Sequence, residues 1–189
     1  MAFQYGTEEW DKEYQAEVTK RMEQPPPYIV GTPEWVSLYE KAVQGDAAYK
    51  EAAKDWEGSV VMHILPEPQY GLDIGLYIFM DLWHGDCRFM KIVPQDAGEA
   101  GDFVITGAME RWMQVMKKEL DVTKGMMQGK LKLKGDLPTI VRAVKAAVRL
   151  VDLSGEIGSI LPTEMPPEDI EKLRALIKDL GPRFLGVTV

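Results

Sequence analysis

Two histidines and one cysteine are the side chains of this 189-residue chain best suited to metal or acid–base chemistry. His63 lies within a predicted strand and His84 in a predicted turn, and neither has a Cys, Asp or second His at zinc-ligand spacing. We interpret His63 as a strand histidine with a satisfied hydrogen bond, or as one contact at the rim of a site. Cys87 is interpreted as a buried, reduced, small hydrophobic residue. The sequence thus predicts no metal ion, no cofactor and no catalytic residue.

Three further motifs that would indicate an enzyme are incomplete. Ser59 and Ser154 do not lie in a nucleophile elbow. The glycines of Gly71–Gly75 open no helix, so this stretch is not a dinucleotide-binding fingerprint, and Asp121–Gly125 contains no phosphate loop. An enzyme is therefore the less favoured class.

The stretch Gly125–Asp136 contains a strict alternation, in which three lysines face one side of a predicted strand and two leucines the other. The lysines, Lys130, Lys132 and Lys134, have two interpretations. They could meet the carboxylate of a fatty acid, the phosphates of coenzyme A or anionic lipid headgroups. Alternatively, they protect an edge strand from pairing with another chain, which the alternation alone would explain.

Composition narrows the class of protein. Hydrophobic residues make up 46% and charged residues 28%, which is typical of a globular domain. The net charge of −8 argues against general nucleic-acid binding, because phosphate neutralisation requires a positive surface. A single cysteine excludes an internal disulfide, and no apolar run approaches a membrane span or a signal peptide. We expect a cytoplasmic protein of one domain.

The positions of apolar residues predict helices at both ends and strands between them. Helices are predicted at Thr7–Glu23, from Pro33, and at Ala47–Trp56, Ala108–Leu120, Leu137–Val151 and Pro166–Leu180. Strands are predicted at Ser59–Leu65, Leu72–Trp83, Cys87–Val93, Asp102–Thr106 and Lys130–Lys134. Because the strands follow one another in runs, the fold class is α+β with a mostly antiparallel sheet.

The predicted helix Leu137–Val151 carries one broad apolar stripe, and the helix around Trp112 carries a second. Apolar stripes at helical spacing usually form a packed core, since protein interiors are close-packed. The alternative is that residues beneath the helices line an internal cavity. Residues alone leave both interpretations open.

The segment from about Trp56 to Val151 resembles the sterol carrier protein 2 (SCP2) sterol-binding domain family. The resemblance rests on Asp102-Phe-Val-Ile-Thr106, then Glu110-Arg-Trp112, then Gly125-Met-Met-Gln-Gly-Lys-Leu-Lys-Leu-Lys-Gly-Asp136. Asp81 and Gly85 also match the hairpin of the family. The resemblance implies a five-stranded sheet covered by helices that enclose a hydrophobic tunnel, with extra helices at both ends of the chain. In this interpretation residues 29–152 form the lipid-binding domain, and 1–28 and 153–189 are helical extensions.

The resemblance implies a carrier of fatty acid, fatty acyl-CoA or a sterol-like lipid. The residues expected to contact the ligand are the apolar ones on the two helices and on the inner face of the sheet. They are Ile74, Leu76, Ile78, Met80, Phe103, Ile105, Trp112, Met116, Met126, Met127, Leu131, Leu133, Ile140, Val141, Val144 and Val148. The helix Pro167–Leu180 is a candidate for the C-terminal helix that gates the cavity in other members.

A binding module without a cavity is the alternative. Its apolar faces would pack on a protein partner or on a second copy of the chain. Transient contact with a membrane and a homodimer both remain open from the sequence.

Overall fold

The computed structural model describes residues 1–189. Nine α-helices and seven strands follow in the order α1, β1, α2, α3, β2, β3, β4, α4, β5, α5, α6, β6, α7, α8, β7, α9. The helices are α1 Glu8–Arg21, α2 Pro33–Gln44, α3 Ala47–Ala52, α4 Gln95–Glu99, α5 Met109–Met116, α6 Val122–Met127, α7 Leu137–Arg142, α8 Val144–Glu156 and α9 Pro167–Leu180. The strands are β1 Tyr28–Ile29, β2 Glu57–Ile64, β3 Leu76–Trp83, β4 Asp86–Val93, β5 Phe103–Gly107, β6 Lys132–Lys134 and β7 Ser159–Ile160. None of the helices combines the length and the apolar composition that crossing a bilayer demands.

Five strands form the main sheet in the order β4-β3-β2-β5-β6. Strands β2 and β5 are parallel, and the other three pairs of neighbours are antiparallel. The predicted α+β class and the five-stranded, mostly antiparallel sheet are confirmed. Strand β6 is an edge strand with Lys132 and Lys134 exposed, which favours the interpretation that these lysines protect the edge.

Alternation along β3 gives the sheet two different faces. Leu76, Ile78 and Leu82 are almost fully buried in the main core, beneath the helices. Tyr77, which points the other way, belongs to a separate small cluster with Val61, Val93 and Val104. The main core therefore lies on one face of the sheet.

Strand β3 begins four residues later than the predicted Leu72. Leu72 instead pairs with Glu67 across a tight loop. Gly71 in this loop has φ +83°, and a Cβ there would lie 2.6 Å from the carbonyl oxygen of Ile170. The turn is thus set by α9 packing against it, which period-2 alternation does not reveal.

The predicted helix Leu137–Val151 is in fact two helices, because Ala143 leaves the helical conformation at φ −96° and ψ 21°. Ala146 and Leu153 of α8 are buried, whereas Val144 and Val148 are 39% and 47% exposed. The predicted stripe was wrong at Val144 and Val148. Val141, which precedes the break, is exposed on the same side at 43%, so the break is not the cause.

The two ends of the chain pack against each other. Trp10 donates from Nε1 to the carbonyl oxygen of Phe184 (3.1 Å), and its ring is stacked on that of Tyr14 at 4.7 Å between centroids. Strand β1 pairs in parallel with β7. The terminal segments share one hydrophobic core with the sheet.

Helix α9 covers the sheet away from α5 and α8. Ile177 and Leu180 lie beside Leu76 and Ile92 of the sheet. About one turn before Ile177, Arg174 forms an ion pair with Asp73 (3.2 Å). The apolar face of α9 is therefore buried within the same chain.

Asp46 links α3 to α8 and leads to a prediction about acid stability. Its carboxylate accepts from the backbone N–H of Tyr49 (2.7 Å) and from two nitrogens of Arg149 (2.8 and 2.7 Å). The side-chain hydrogen bonds of Arg149, together with the backbone N–H, lower the pKa of Asp46 from 3.8 to about 2. Since the unfolded chain binds this proton more tightly, the stabilisation is complete above about pH 4 and is lost as the pH falls towards 2.

We therefore expect Asp46→Asn, which keeps an N-cap oxygen but not the charge, to unfold at lower urea concentration than the wild type at pH 7. The difference in unfolding midpoint should shrink between pH 4 and pH 2. If the unfolding midpoints of wild type and Asp46→Asn differ by the same amount at pH 7 and at pH 2, the ion pair is not the cause of the difference.

Candidate ligand-binding cavity

An apolar cavity lies between the main face of the sheet and the helices that cover it. Its volume is about 880 Å³ with the solvent at its open side included. Of its 21 lining residues, 20 are hydrophobic. They are Trp35, Tyr39, Tyr49, Trp56, Val60, Val61, Met62, Met80, Leu82, Ile105, Trp112, Val115, Met116, Val122, Ile140, Ala143, Ala146, Ala147, Leu150 and Val151, with Ser154 as the polar one.

The walls come from elements far apart in the sequence. Strands β2, β3 and β5 supply the floor, with Met62, Met80 and Ile105 among its side chains. Helices α2, α3, α5, α6, α7 and α8 supply the sides and the roof. The roof carries three alanines, Ala143, Ala146 and Ala147, whose small side chains leave space that larger residues would fill.

Almost all polar atoms of the walls are already hydrogen-bonded. The indole nitrogens of three tryptophans, one tyrosine hydroxyl and the hydroxyl of Ser154 each donate within the protein. The bonds are Trp35 Nε1 to Ser159 Oγ (2.8 Å), Trp56 Nε1 to Gly58 O (2.8 Å), Trp112 Nε1 to His63 O (3.1 Å), Tyr39 Oη to Leu150 O (2.7 Å) and Ser154 Oγ to Val151 O (2.6 Å). The cavity thus presents carbon surface and suits an apolar guest.

A second hollow adjoins this cavity on the side of α5 and α6. Its volume is about 550 Å³, and it shares Val115, Val122, Ala147 and Val151 with the first. Lys118, Asp121 and Asp152 are among its other lining residues. We call it the outer hollow. Since one wall is common to both, this is where the cavity approaches solvent.

The sixteen predicted ligand-contacting residues divide into three groups. Five of them line the cavity together: Met80, Ile105, Trp112, Met116 and Ile140. Val144 and Val148 line the outer hollow instead.

The other nine predicted residues lie elsewhere. Leu76 is beneath α9, Ile74 lies in a polar cleft near His63, and Phe103 packs on Trp56 with 5.0 Å between ring centroids. Ile78, Met126 and Leu131 are buried in the core, Leu133 is half-buried, and Met127 and Val141 are exposed. No residue of α9 lines the cavity, so this helix does not close it here.

Sequence reasoning missed the wall residues that come from α2, α3 and β2, and Trp56, which directly precedes β2. Trp35, Tyr39, Tyr49 and Trp56 lie outside the strand–helix–strand stretch on which the resemblance rested. Their helical spacing did show that they face inward. Nothing local indicates that they face this cavity rather than the core beneath α1 and α9.

The residues best suited to acid–base or metal chemistry, His63 and Cys87, lie outside the cavity and interact with their neighbours in the fold. The Nδ1 atom of His63 lies 3.0 Å from the hydroxyl of Thr106, its ring stacks on Tyr77, and burial lowers its pKa. Burial raises the pKa of Cys87 to about 12 and keeps it a thiol. Nowhere do three or more His, Cys, Asp or Glu side chains converge as a metal site would require.

Sequence and structure comparisons decide the family. The sequence profile of the SCP-2 sterol transfer family matches residues 39–147, more than half of the chain. The chain belongs to the SCP-2 sterol transfer family. The matched region contains all of the main sheet and helices α5, α6 and α7, so it includes the floor of the cavity. The resemblance inferred from the motifs is confirmed.

Two solved structures resemble this SCP-2 domain closely. A crystal structure of a sterol carrier protein 2 is 35% identical, with a TM-score of 0.62, covering 67% of this chain and 98% of the other. The solution structure of a conserved hypothetical protein from Thermus thermophilus, described as possibly a sterol carrier protein, is 34% identical. Its TM-score is 0.63, and the match covers 69% of this chain and 91% of that one. No curated protein matches the chain. Membership of the SCP-2 family implies lipid or sterol binding and transfer.

Proposed function

We propose that this protein is a non-catalytic, cytoplasmic carrier that holds a fatty acid, a fatty acyl-CoA or a sterol-like lipid in the cavity between its sheet and α5 and α8. Residues 29–152 are its lipid-binding domain in this proposal. The observation that supports it most directly is the lining: 20 of 21 residues are hydrophobic, and nearly all of their polar atoms are bonded within the protein. The main interaction that such a wall makes with a ligand is the burial of apolar surface.

Burial of a lipid chain is enough to drive binding. Removing apolar surface from water contributes about 25 cal/mol per Å² on both ligand and wall. Three methionines on the wall, Met62, Met80 and Met116, have flexible side chains that adapt to the shape of a guest.

Lipid extracted from the purified protein tests the proposal. We expect mass spectrometry of the organic extract to find a lipid in fixed proportion to protein. The delipidated protein should then bind a fluorescent long-chain fatty acid with one saturable site. A protein that carries nothing, binds neither fatty acid nor acyl-CoA, and is strictly oligomeric would instead be an accessory or dimerisation module.

An exposed apolar strip supports transient membrane contact as part of the same function. Val144, Val148 and Val141 are 39%, 47% and 43% exposed, and the first two line the outer hollow next to the cavity. Arg142 and Lys145 on the same helices are also exposed, on a chain of net charge −8. Apolar residues flanked by positive charge suit an anionic bilayer.

We therefore expect the double variant Val144→Ser, Val148→Ser to partition about tenfold less into vesicles that contain phosphatidylserine, because less apolar surface is buried. Leu65, which is 39% exposed but lies outside this strip, is the control as Leu65→Ser. Unchanged partitioning, with a shift from dimer to monomer in size-exclusion chromatography, would instead assign the strip to a second copy of the chain.

A further inference from the structure

Tyr49 is the wall residue whose polar atom has no partner. It lies on α3 and is only 1% exposed. The backbone N–H of Tyr49 is capped by Asp46, but its side-chain hydroxyl forms no hydrogen bond. Every other wall side chain that carries N–H or O–H donates to a protein oxygen. A buried hydroxyl without a partner is costly unless something else satisfies it.

The hydroxyl of Tyr49 is nevertheless not sealed in the protein. No side-chain nitrogen or oxygen is fully enclosed without a hydrogen-bond partner. The small accessible area left on Tyr49 therefore includes its hydroxyl oxygen, and Tyr49 is one of the residues that line the cavity. The cavity thus has one donor and acceptor available to a guest.

Resting on the carrier function proposed above, we infer that the hydroxyl of Tyr49 binds the polar end of the ligand and selects lipids whose polar group is an uncharged hydroxyl or carbonyl. Apart from this contact, the walls distinguish ligands only by shape.

The lining explains why the polar group is uncharged. No Lys, Arg or His lines the cavity, so a carboxylate beside Tyr49 would lose its water without gaining an opposite charge. Burial raises the pKa of Tyr49, so that its hydroxyl stays protonated and both donates and accepts. An alcohol or a carbonyl matches that pairing at little desolvation penalty.

The position of Tyr49 also orients the ligand. Arg149 of α8 binds Asp46 at the start of α3, whereas Val144 and Val148 of α8 face the outer hollow. Tyr49 of α3 lines the cavity but not the outer hollow. A lipid held by Tyr49 enters with its polar group first and leaves its chain towards the outer hollow.

The removal of a single oxygen tests the inference. We would measure the binding of 1-hexadecanol and of hexadecane to wild type and Tyr49→Phe by displacement of bound Nile red, a fluorescent probe without a charge, with the affinity of the probe measured for each protein. Tyr49→Phe should weaken binding of the alcohol about tenfold and leave the alkane unchanged, since one hydrogen bond to the ligand is lost. Tyr39→Phe is the matched control, because its hydroxyl lines the same cavity but already donates to Leu150.

The outcomes separate the inference from the carrier function. Equal affinity of wild type and Tyr49→Phe for the alcohol, with both proteins folded by circular dichroism, overturns the role of Tyr49 and leaves the carrier function intact. An equal loss of alcohol binding in Tyr39→Phe also overturns it, since a general effect on the cavity would then be responsible. Failure of the wild type to bind either compound overturns the carrier function and the inference together.

Discussion

Ala147→Trp is expected to abolish lipid uptake while the protein remains folded. Ala147 lies in the wall shared by the cavity and the outer hollow, and an indole ring there would occupy the space that the ligand needs. At about 0.8 kcal/mol for each methylene, excluding about four methylenes costs about 3 kcal/mol, or roughly a 100-fold loss of affinity. Because the ring fills a void, the free energy of unfolding should be unchanged or higher.

Val144→Trp is the matched control for this experiment. Val144 lies one helical turn away, is 39% exposed and lines only the outer hollow. We expect it to bind a fluorescent fatty acid with nearly wild-type affinity. If Val144→Trp blocks uptake and Ala147→Trp does not, the ligand lies in the outer hollow rather than beneath α8.

Trp10→Ala is expected to lower the free energy of unfolding by about 3–5 kcal/mol, as for other large-to-small changes of fully buried aromatic residues. Trp10 is 0% exposed, stacks on Tyr14 and donates to Phe184 near the other end of the chain. The change removes the main link between the two terminal segments. For a chain of this length the melting temperature should fall by roughly 6–20 °C in differential scanning calorimetry.

Trp83→Ala provides the comparison, because Trp83 is 42% exposed at the end of β3. Its stability should stay within about 0.5 kcal/mol of the wild type. A loss for Trp10→Ala no larger than that for Trp83→Ala would contradict a shared core. The terminal segments would then be dispensable extensions of the carrier domain.

The strands of the sheet could be predicted from the sequence because the alternation of apolar residues that defines a strand lies within a short stretch of the chain. Along β3 the residues from Leu76 to Trp83 alternate, and one face of a strand is defined by every second residue. Strands β2 and β6 begin within two residues of their predicted starts, and the largest error is the start of β3, four residues after the predicted Leu72. Its position depends on Gly71 meeting Ile170 of α9, a contact about a hundred residues away that no window of the sequence contains.

The face that α8 turns inward could not be predicted by periodicity. Ile140, Ala143, Ala147, Leu150 and Ser154 line the cavity at helical spacing on both sides of the break at Ala143. Val141, Val144 and Val148 form a neighbouring apolar stripe that is exposed. The unbroken apolar pattern gives no sign of the break. The cavity remains open where small residues lie on the inner face of the helices. From the sequence, an alanine that lines a cavity cannot be distinguished from an alanine in a packed core.

The cavity was only partly accessible to sequence reasoning. Met80, Ile105 and Trp112 were expected as ligand contacts because they lie in the family motif or on the inner face of β3, and they do line the cavity. Tyr39 and Tyr49 were not, because their place in the wall depends on how α2 and α3 dock on the sheet. The Tyr39 hydroxyl forms a hydrogen bond within the protein and the Tyr49 hydroxyl does not, and the most detailed prediction about the ligand depends on this difference.

The position of bound lipid in a crystal tests the central claim most directly. A fatty acid brominated near the middle of its chain, soaked into crystals of the wild type, gives an anomalous peak where the chain lies. The carrier function predicts that peak in van der Waals contact with Met80, Ile105 and Trp112, between the sheet and α8. A cavity that stays empty, with the bromine outside it or absent although the fatty acid binds in solution, would contradict the account.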